Sequence, residues 1–187
     1  MFIQTEHTPN PQTLKFLPGK VVMEKGTAFF QNVEEGFQSP FAKRLFEIDG
    51  VDGVFFGSDF ITITKTQSID WQVMKPLILS SIIDHYNSGD KTIIEDQIKD
   101  SSSNKPDESD NDIVKQIKEL LDTRVRPAVA MDGGDIIYDS FKDGIVYLHM
   151  QGACSGCPSS TATLKMGIEN MLKHYVPEVQ EVRPINE

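Results

Sequence analysis

The sequence predicts an α+β protein with two small domains joined by a flexible acidic linker. Its 187 residues suit one or two small domains. Short β-rich runs and segments of helical period occur in both halves of the chain. Between them, residues 101–112 are polar and acidic and cannot bury enough apolar surface to offset the entropy lost on ordering. We place the domains at 1–86 and 111–187, with the linker at 87–110.

The first domain is predicted to be built mainly from strands. Gly57-Ser58-Asp59 separates two β-rich runs and indicates a hairpin. Asp70 can cap the helix that follows, although Pro76 suits that helix only if it lies in the first turn. Trp71 and the phenylalanines of this half are predicted to form its core. The predicted strands are 2–6, 13–16, 51–56 and 60–64, and the predicted helices are 40–48 and 70–86.

The second domain is predicted to have the order α-β-β-α-β. Its first helix follows Asp112 and is expected to end at Arg126-Pro127. Strands over 136–139 and 145–150 flank a hairpin signal at residues 141–144. After the loop at 151–158 come a second helix and a short strand at 179–182. The apolar face of that second helix is expected to hold Leu164, Ile168, Met171, Leu172 and Tyr175.

The charge distribution argues against two classes of partner. The chain carries a net charge of −10. The two domains carry −3 each and the linker carries −4, so no segment is basic. Nucleic acids and anionic membrane surfaces both need a positive face on the protein. We therefore predict no nucleic-acid partner and no membrane partner.

The start of the chain and the cysteine count bear on location. Residues 1–7 show no basic region followed by an apolar stretch, and they are not rich in Arg or Ser. The chain has only two cysteines, three positions apart, unlike a secreted disulfide scaffold. This pattern suits a reducing compartment. We expect the chain to stay in the cytoplasm where it is made.

Cys154 and Cys157 form a CxxC pair that is suited to binding a soft metal. The pair lies between a predicted strand and a predicted helix, and Pro158 suits the first position of that helix. Free N–H groups and the helix dipole at that end stabilise a thiolate at Cys157. Thiolate is the form that binds iron or zinc. Gly152 and Gly156 allow the backbone to turn sharply around the sulfurs.

The number of thiolates indicates that one chain holds half a site. An iron–sulfur cluster is usually held by four thiolates, and one chain offers two. A symmetric dimer offers four, with the cluster on the two-fold axis. Cluster binding and self-association are therefore expected to be coupled.

The spacing of the two cysteines is also compatible with three alternatives to a cluster site. A thiol-disulfide oxidoreductase also uses CxxC at a helix start, but only 30 residues follow Cys157, which is little room for the rest of that fold. A zinc-bridged dimer has the same four-sulfur count. The third alternative is two incidental buried cysteines, which the surrounding glycines, serines and proline disfavour.

The motif around the pair resembles the Nfu family, which shares the C-terminal domain of NifU. The resemblance in the first domain lies in Thr8-Pro9-Asn10-Pro11 and Lys15-Phe16. Together the resemblances in the two domains cover nearly the whole chain apart from the linker. In the second domain the resemblance is carried by Arg124-Val125-Arg126-Pro127, Met131-Asp132-Gly133-Gly134-Asp135 and Gly152-Ala153-Cys154-Ser155-Gly156-Cys157-Pro158-Ser159-Ser160.

The resemblance implies an iron–sulfur cluster assembly protein and not an enzyme. Its members bind a 4Fe–4S cluster between subunits, and the ligands carry over to Cys154 and Cys157. The implied partners are recipient apoproteins, other assembly proteins and a second copy when the cluster is bound, with a monomer expected when it is absent. Mitochondrial members carry a targeting extension, so the resemblance implies a bacterial cytoplasmic protein, or the mitochondrial matrix for a processed form.

Several polar residues near the motif are expected to have ordinary structural roles. Asp132 and Asp135 are expected to flank a glycine turn, although they could orient the cysteine loop. Arg124 and Arg126 could meet a partner or an anionic loop, or act at a helix end. His149 is expected to be an ordinary strand residue. The first domain offers no nucleophile with a base and no phosphate loop, so recognition of partners or regulation is its expected role.

Overall fold

A computed structural model describes residues 1–93, 106–156 and 158–185, with the backbone alone at 158–160. The chain divides into two compact units, Met1–Asp100 and Ser101–Glu187, and each is treated by itself. The predicted α+β class is confirmed in both units. The predicted linker at 87–110 stays a prediction, since its residues 94–105 lie outside the described residues.

The first unit is built on an antiparallel sheet of five described strands. Their order is β1-β2-β5-β4-β3, and β4 and β5 form the predicted hairpin around residues 57–60. Two of the elements in this unit, β3 and α1, lack a clear period in the sequence and are not predicted. The bounds are β1 Gln4–His7, β2 Thr13–Leu17, β3 Ala28–Phe30, α1 Val33–Gly36, α2 Pro40–Phe46, β4 Val51–Phe56, β5 Ile61–Lys65 and α3 Trp71–Ser88.

The core of the first unit lies between the sheet and helices α2 and α3. Phe41 of α2 stacks on Phe56 of β4 at a centroid distance of 5.2 Å and on His85 of α3 at 3.8 Å. Trp71 packs against this core, and its indole N–H donates to the Pro11 carbonyl at 3.2 Å. The prediction that the phenylalanines of this half form its core is confirmed for Phe16, Phe30, Phe41, Phe46 and Phe56. It is wrong for Phe2 and Phe37, which are exposed.

Helix α3 differs from its prediction at Pro76. Asp70 caps the helix as predicted, since its carboxylate accepts from the backbone N–H of Gln72 at 3.1 Å. Pro76 lies beyond the first turn, inside the helix. A proline there lacks the N–H that would bond to the carbonyl of Gln72. Pro76 is exposed, so water can satisfy that carbonyl.

The end of α3 and the residues after it belong to the first unit. The helix ends at Ser88, with Gly89 in the left-handed conformation at φ +71°. The Asp90 carboxylate pairs with the Arg44 guanidinium at 3.2 Å. The Ser39 hydroxyl, which caps α2, also donates to the carbonyl of Thr92. These contacts join Asp90 and Thr92 to helix α2 and its cap.

The second unit has a three-stranded sheet in its described part, in the order β6-β7-β8. Strands β6 and β7 are antiparallel, and β8 returns parallel to β7 after helix α6. Asp143 and Gly144 turn the hairpin with φ of +51° and +79°, as a two-residue hairpin turn requires. The bounds are α4 Asp112–Leu120, α5 Arg126–Met131, β6 Gly134–Lys142, β7 Ile145–Gly152, α6 Pro158–Tyr175 and β8 Glu181–Ile185.

The prediction that Arg126-Pro127 ends the first helix of this unit is wrong. A π turn over Leu121–Val125 follows α4, and the chain then continues as α5. A proline ring clashes with the carbonyl four residues earlier in a regular helix. The wider π turn gives room for that ring, so the helix passes the proline.

One face of the sheet packs against the helices to form the second core. The predicted apolar face of α6 is confirmed at Ile168 and Leu172, which are buried. Tyr175 is the exception, with 40% of its surface exposed and the Arg124 guanidinium 5.0 Å from its ring centre. Across the parts of the chain with described structure, no helix combines the length and apolar character needed to span a membrane.

Candidate functional site: the cysteine loop

The cysteine loop follows the carboxyl end of β7, the middle strand of the second sheet. Gly152 closes the strand at φ +64°, and its carbonyl accepts from the N–H of Ser155 at 3.1 Å. Gly156 also has a positive φ, +75°. Helix α6 begins at Pro158 as predicted. Cys157, the second predicted ligand, lies outside the described residues, so its assignment stays a prediction.

Cys154 is buried, with 6% of its surface exposed, and belongs to the second core. This corrects the expectation that the residues around the pair keep it out of a core position. The reason is Gly134, the first residue of β6. A Cβ at residue 134 would lie 2.6 Å from Cys154 Sγ and 2.6 Å from the Gln151 carbonyl oxygen. The missing side chain of Gly134 makes the space that the sulfur occupies.

Two further hydrogen bonds fix the loop around Cys154. The N–H of Ala153 donates to the Gly133 carbonyl at 3.1 Å, which joins the loop to the turn before β6. The Thr161 hydroxyl donates to the carbonyl of Cys154 at 3.1 Å, which joins the loop to the first turn of α6. Gly133 has φ +84°, so the predicted glycine turn is confirmed. Cys154 is therefore held both by the turn before β6 and by the start of α6.

The surroundings of Cys154 favour its neutral thiol. Burial raises the pKa of Cys154 to about 12, and the negative charges of Asp132 and Asp135 act in the same direction. At neutral pH this sulfur carries its proton. A metal that binds it must displace that proton, which makes binding more favourable as pH rises.

An ion pair between Arg126 and Asp135 lies beside the loop. Arg126 Nε and Nη2 donate to the two carboxylate oxygens of Asp135 at 2.8 and 2.9 Å. Asp135 is 3% exposed, and its Oδ1 also accepts from the N–H of Ile136 at 2.8 Å. Arg126 Nη1 donates to Asp122 at 3.0 Å. These contacts raise the pKa of Arg126, the Asp135 bond being the first cause.

The sequence does not reveal this pair or the role of Gly134. Arg126 is the first residue of α5 and Asp135 is the second residue of β6, and no spacing rule connects the two positions. Asp132 and His149 take the ordinary roles expected of them. Asp132 is exposed, and the His149 ring lies 3.2 Å from the Asp139 carboxylate on the strands.

Family models match both halves of the chain. Residues 3–89 match "Scaffold protein Nfu/NifU N terminal". Residues 117–183 match "NifU-like domain", which contains the cysteine loop. The two matched regions agree with the two resemblances seen in the sequence motifs.

Curated relatives match almost the full chain. NifU-like protein 4, mitochondrial, of Arabidopsis thaliana is 54% identical over 97% of this chain and 65% of its own length. The human NFU1 iron-sulfur cluster scaffold homolog, mitochondrial, is 51% identical over 99% of this chain and 72% of its own length. The chain thus spans about two thirds of these relatives. A solved NifU-like protein from Saccharomyces cerevisiae is 28% identical, with a TM-score of 0.45 over 50% of this chain and 84% of its own.

The predicted bacterial cytoplasmic location is wrong. The relatives that match nearly the full chain are named as mitochondrial proteins of eukaryotes. The prediction depended on the composition of the first residues of the sequence, which does not determine location. On the relatives' identity and coverage, the chain belongs to the NFU1/NifU-like family of iron–sulfur cluster scaffold proteins, which are not catalytic enzymes.

Proposed function

We propose that this scaffold binds a 4Fe–4S cluster between two copies of the chain, through Cys154 and Cys157 of each, and transfers it to apoproteins. The observation that carries the proposal is the placement of Cys154 in the matched NifU-like domain. Its sulfur occupies a space made by Gly134, at the end of a central strand and before a helix.

Loading the cluster requires a defined change at Cys154. The buried thiol releases its proton to solvent, and an Fe–S bond replaces the S–H bond. The sulfur must also become accessible to a cluster that a second chain shares. Gly133, Gly152 and Gly156 all have positive φ and supply the backbone freedom around it. The cost of exposing the sulfur also makes the bound cluster easier to release, which suits a carrier.

The ligand count supports a dimer as the loaded form. Two cysteines per chain leave two of the usual four thiolate positions to a partner copy. In the absence of a cluster, no shared metal joins the chains, so we expect the apo protein to be monomeric. The chain's charge of −10 adds repulsion between copies and favours the same result.

The proposed role indicates the partners of this chain, and its relatives indicate its location. Recipient apoproteins and other assembly proteins are the expected partners, and the first unit is the proposed surface for recognising them. The relatives that match nearly the whole of this chain are named as mitochondrial, which supports a mitochondrial location for it. Nucleic acid and membrane are not expected as partners.

Anaerobic reconstitution with iron and sulfide tests the proposal directly. The parent protein is expected to take up about two iron atoms per chain, because four iron atoms are shared by two copies, and to elute as a dimer. Cys154→Ser is expected to abolish both results, whereas the neighbouring Ser155→Ala should retain them. If Cys154→Ser binds the cluster as the parent does, the assignment of Cys154 as a cluster ligand is wrong.

A thiol-disulfide enzyme and a zinc-bridged dimer would give different outcomes. A thiol-disulfide enzyme needs one accessible thiolate of low pKa, and Cys154, which is buried with a raised pKa, does not supply it. Catalysed reduction of insulin by the apo protein would nevertheless support that activity. Metal analysis of anaerobically purified protein separates iron from zinc.

A further inference from the structure

We propose that Arg126 and Asp135 are positioning residues, which hold Gly134 beneath Cys154 and so set the position of the cluster ligand. The inference rests on the proposed function, because it concerns the same cysteine. It assigns a purpose to an ion pair in which the Asp135 carboxylate is buried and the Arg126 side chain is partly buried. The geometry of the pair and its place in the chain both support this role.

The geometry of the pair is unusually restrictive. Two guanidinium N–H groups meet two carboxylate oxygens, and the third Arg126 contact goes to Asp122 on the preceding π turn. The backbone N–H of Ile136 donates to the same Asp135 carboxylate. A planar guanidinium in a bidentate pair has a defined orientation as well as a defined distance. Asp135 is therefore fixed relative to the helix that carries Arg126.

Asp135 is directly joined to the residue that receives the sulfur. Gly134 precedes it in β6, and an ideal Cβ at Gly134 lies 2.6 Å from Cys154 Sγ. Gly133, one residue earlier, accepts the Ala153 N–H. A shift of Asp135 by a fraction of an ångström thus moves Gly134, which contacts the sulfur. It also moves Gly133, whose carbonyl holds the cysteine loop.

Stability alone is a weak explanation for such a pair. Removing the Asp135 carboxylate from water is costly, and well-packed apolar residues often serve stability as well as a buried ion pair does. A positioning role explains why a bidentate pair lies beside the loop.

The first test measures access to Cys154 in the apo protein, in a Cys157→Ser background. Arg126→Gln removes a positive charge and leaves Asp135 unpaired, so electrostatics alone predicts slower alkylation of Cys154 by iodoacetamide. Loss of positioning predicts faster alkylation, because Gly134 no longer lies firmly under the sulfur. We expect alkylation to be faster. A slower or unchanged rate, with the fold intact by circular dichroism, would overturn the proposal.

The second test measures cluster release from the reconstituted full chain to an iron chelator. Arg126→Gln and Asp135→Asn are each expected to accelerate release by about 10–100-fold, as loss of groups that orient metal ligands does. The double variant should be less impaired than the product of the two single effects. Arg183→Gln, which removes an exposed arginine paired with Glu181 in the same unit, is the matched control.

The outcomes separate this inference from the proposed function. If the parent loads a cluster, Cys154→Ser does not, and both pair variants release it at the rate of Arg183→Gln, only the positioning role is wrong. If Cys154→Ser loads as the parent does, the proposed site itself is wrong. Lower thermal stability of the pair variants, with unchanged release where they are folded, would identify a purely structural pair. Arg126→Lys should not restore slow release, since an ammonium cannot make the bidentate contact.

Discussion

The two units of this chain bury ionisable groups in opposite ways. In the first unit, His85 lies 2% exposed against the Phe41 ring, and its Nδ1 has no hydrogen-bond partner within the described structure. In the second, Asp135 is 3% exposed and its carboxylate is satisfied by Arg126 and by a backbone N–H. One group is packed among aromatic rings, and the other is held by a bidentate partner.

This difference distinguishes a packing role from a site role. Burial lowers the pKa of His85, and the Arg44 charge lowers it further, so the ring stays neutral and packs as an aromatic side chain. Asp135 and Cys154 instead lie at the cysteine loop, which carries the proposed cluster ligand. In the first unit the buried His85 therefore contributes to packing. In the second unit the buried Asp135 lies close to the sulfur of Cys154.

The largest effect is expected from Phe41→Ala in the first unit. Phe41 is fully buried between Phe56 and His85, so its removal should lower the unfolding free energy by about 3–5 kcal/mol. Denaturant titration followed by fluorescence of Trp71, the single tryptophan, reports on this unit. Cluster loading should stay at the parent level; its loss would show that the two units are not independent in this respect.

The next largest effects are expected from a matched pair of glycine substitutions, one in each unit. Gly134→Ala places a Cβ 2.6 Å from Cys154 Sγ, and Gly57→Ala places one 2.3 Å from the Phe60 ring. Each should cost about 1–3 kcal/mol by overpacking, measured by denaturant titration. We expect Gly134→Ala alone to lose cluster loading in the reconstitution assay. Equal loading by both variants would contradict the space that we assign to the sulfur.

The pH dependence of the first unit should come from His85. Because the folded pKa lies below the unfolded value of 6.5, the unfolded state binds more protons as the pH falls below that value. The stabilisation is present above pH 6.5 and is lost as the pH falls toward the folded pKa. Trp71 fluorescence in thermal melts between pH 7.5 and 5 should show a falling midpoint in the parent. In His85→Gln the fall should be smaller.

The smallest effects are expected at two open glycines of the second unit. A Cβ at Gly167 or Gly156 meets nothing within 4 Å. Gly167 lies inside α6, so Gly167→Ala should stabilise by about 1 kcal/mol. Gly156 has φ +75°, so Gly156→Ala should destabilise by about 1 kcal/mol or slightly more. Calorimetric midpoints of the two variants should therefore move in opposite directions.

The sequence predicts the elements that have a local signal. The helix of α6 and the hairpin at Asp143-Gly144 follow from residue period and turn chemistry, which act over a few neighbouring residues. Strand β3 is three residues long and pairs with β4 across more than twenty residues, so no local pattern identifies it. Helix α5 is missed for a related reason, since Pro127 normally signals an end and the π turn that accommodates it has no sequence signature.

The sequence predicts the chemistry of the site, which stays a prediction, but it does not predict that Cys154 is buried. The cysteine spacing and the surrounding motif predict a soft-metal site at Cys154. Gly152 and Gly156 suggest an open loop, but a different glycine, Gly134, makes room for a buried sulfur, and this depends on contact between residues 134 and 154. The Arg126–Asp135 pair likewise joins a helix to a strand, and only the folded arrangement brings the two side chains within 3 Å.

The π turn over Leu121–Val125 also constrains how the length of this chain can vary. One residue added to or removed from the helical run before Arg126 rotates everything after it by about 100°. The guanidinium would then leave Asp135, although the composition would hardly change. Insertions and deletions should therefore be tolerated at the turn after α6 far better than between Asp112 and Arg126. In that segment the number of residues matters as much as their identity, because it decides whether Arg126 faces Asp135.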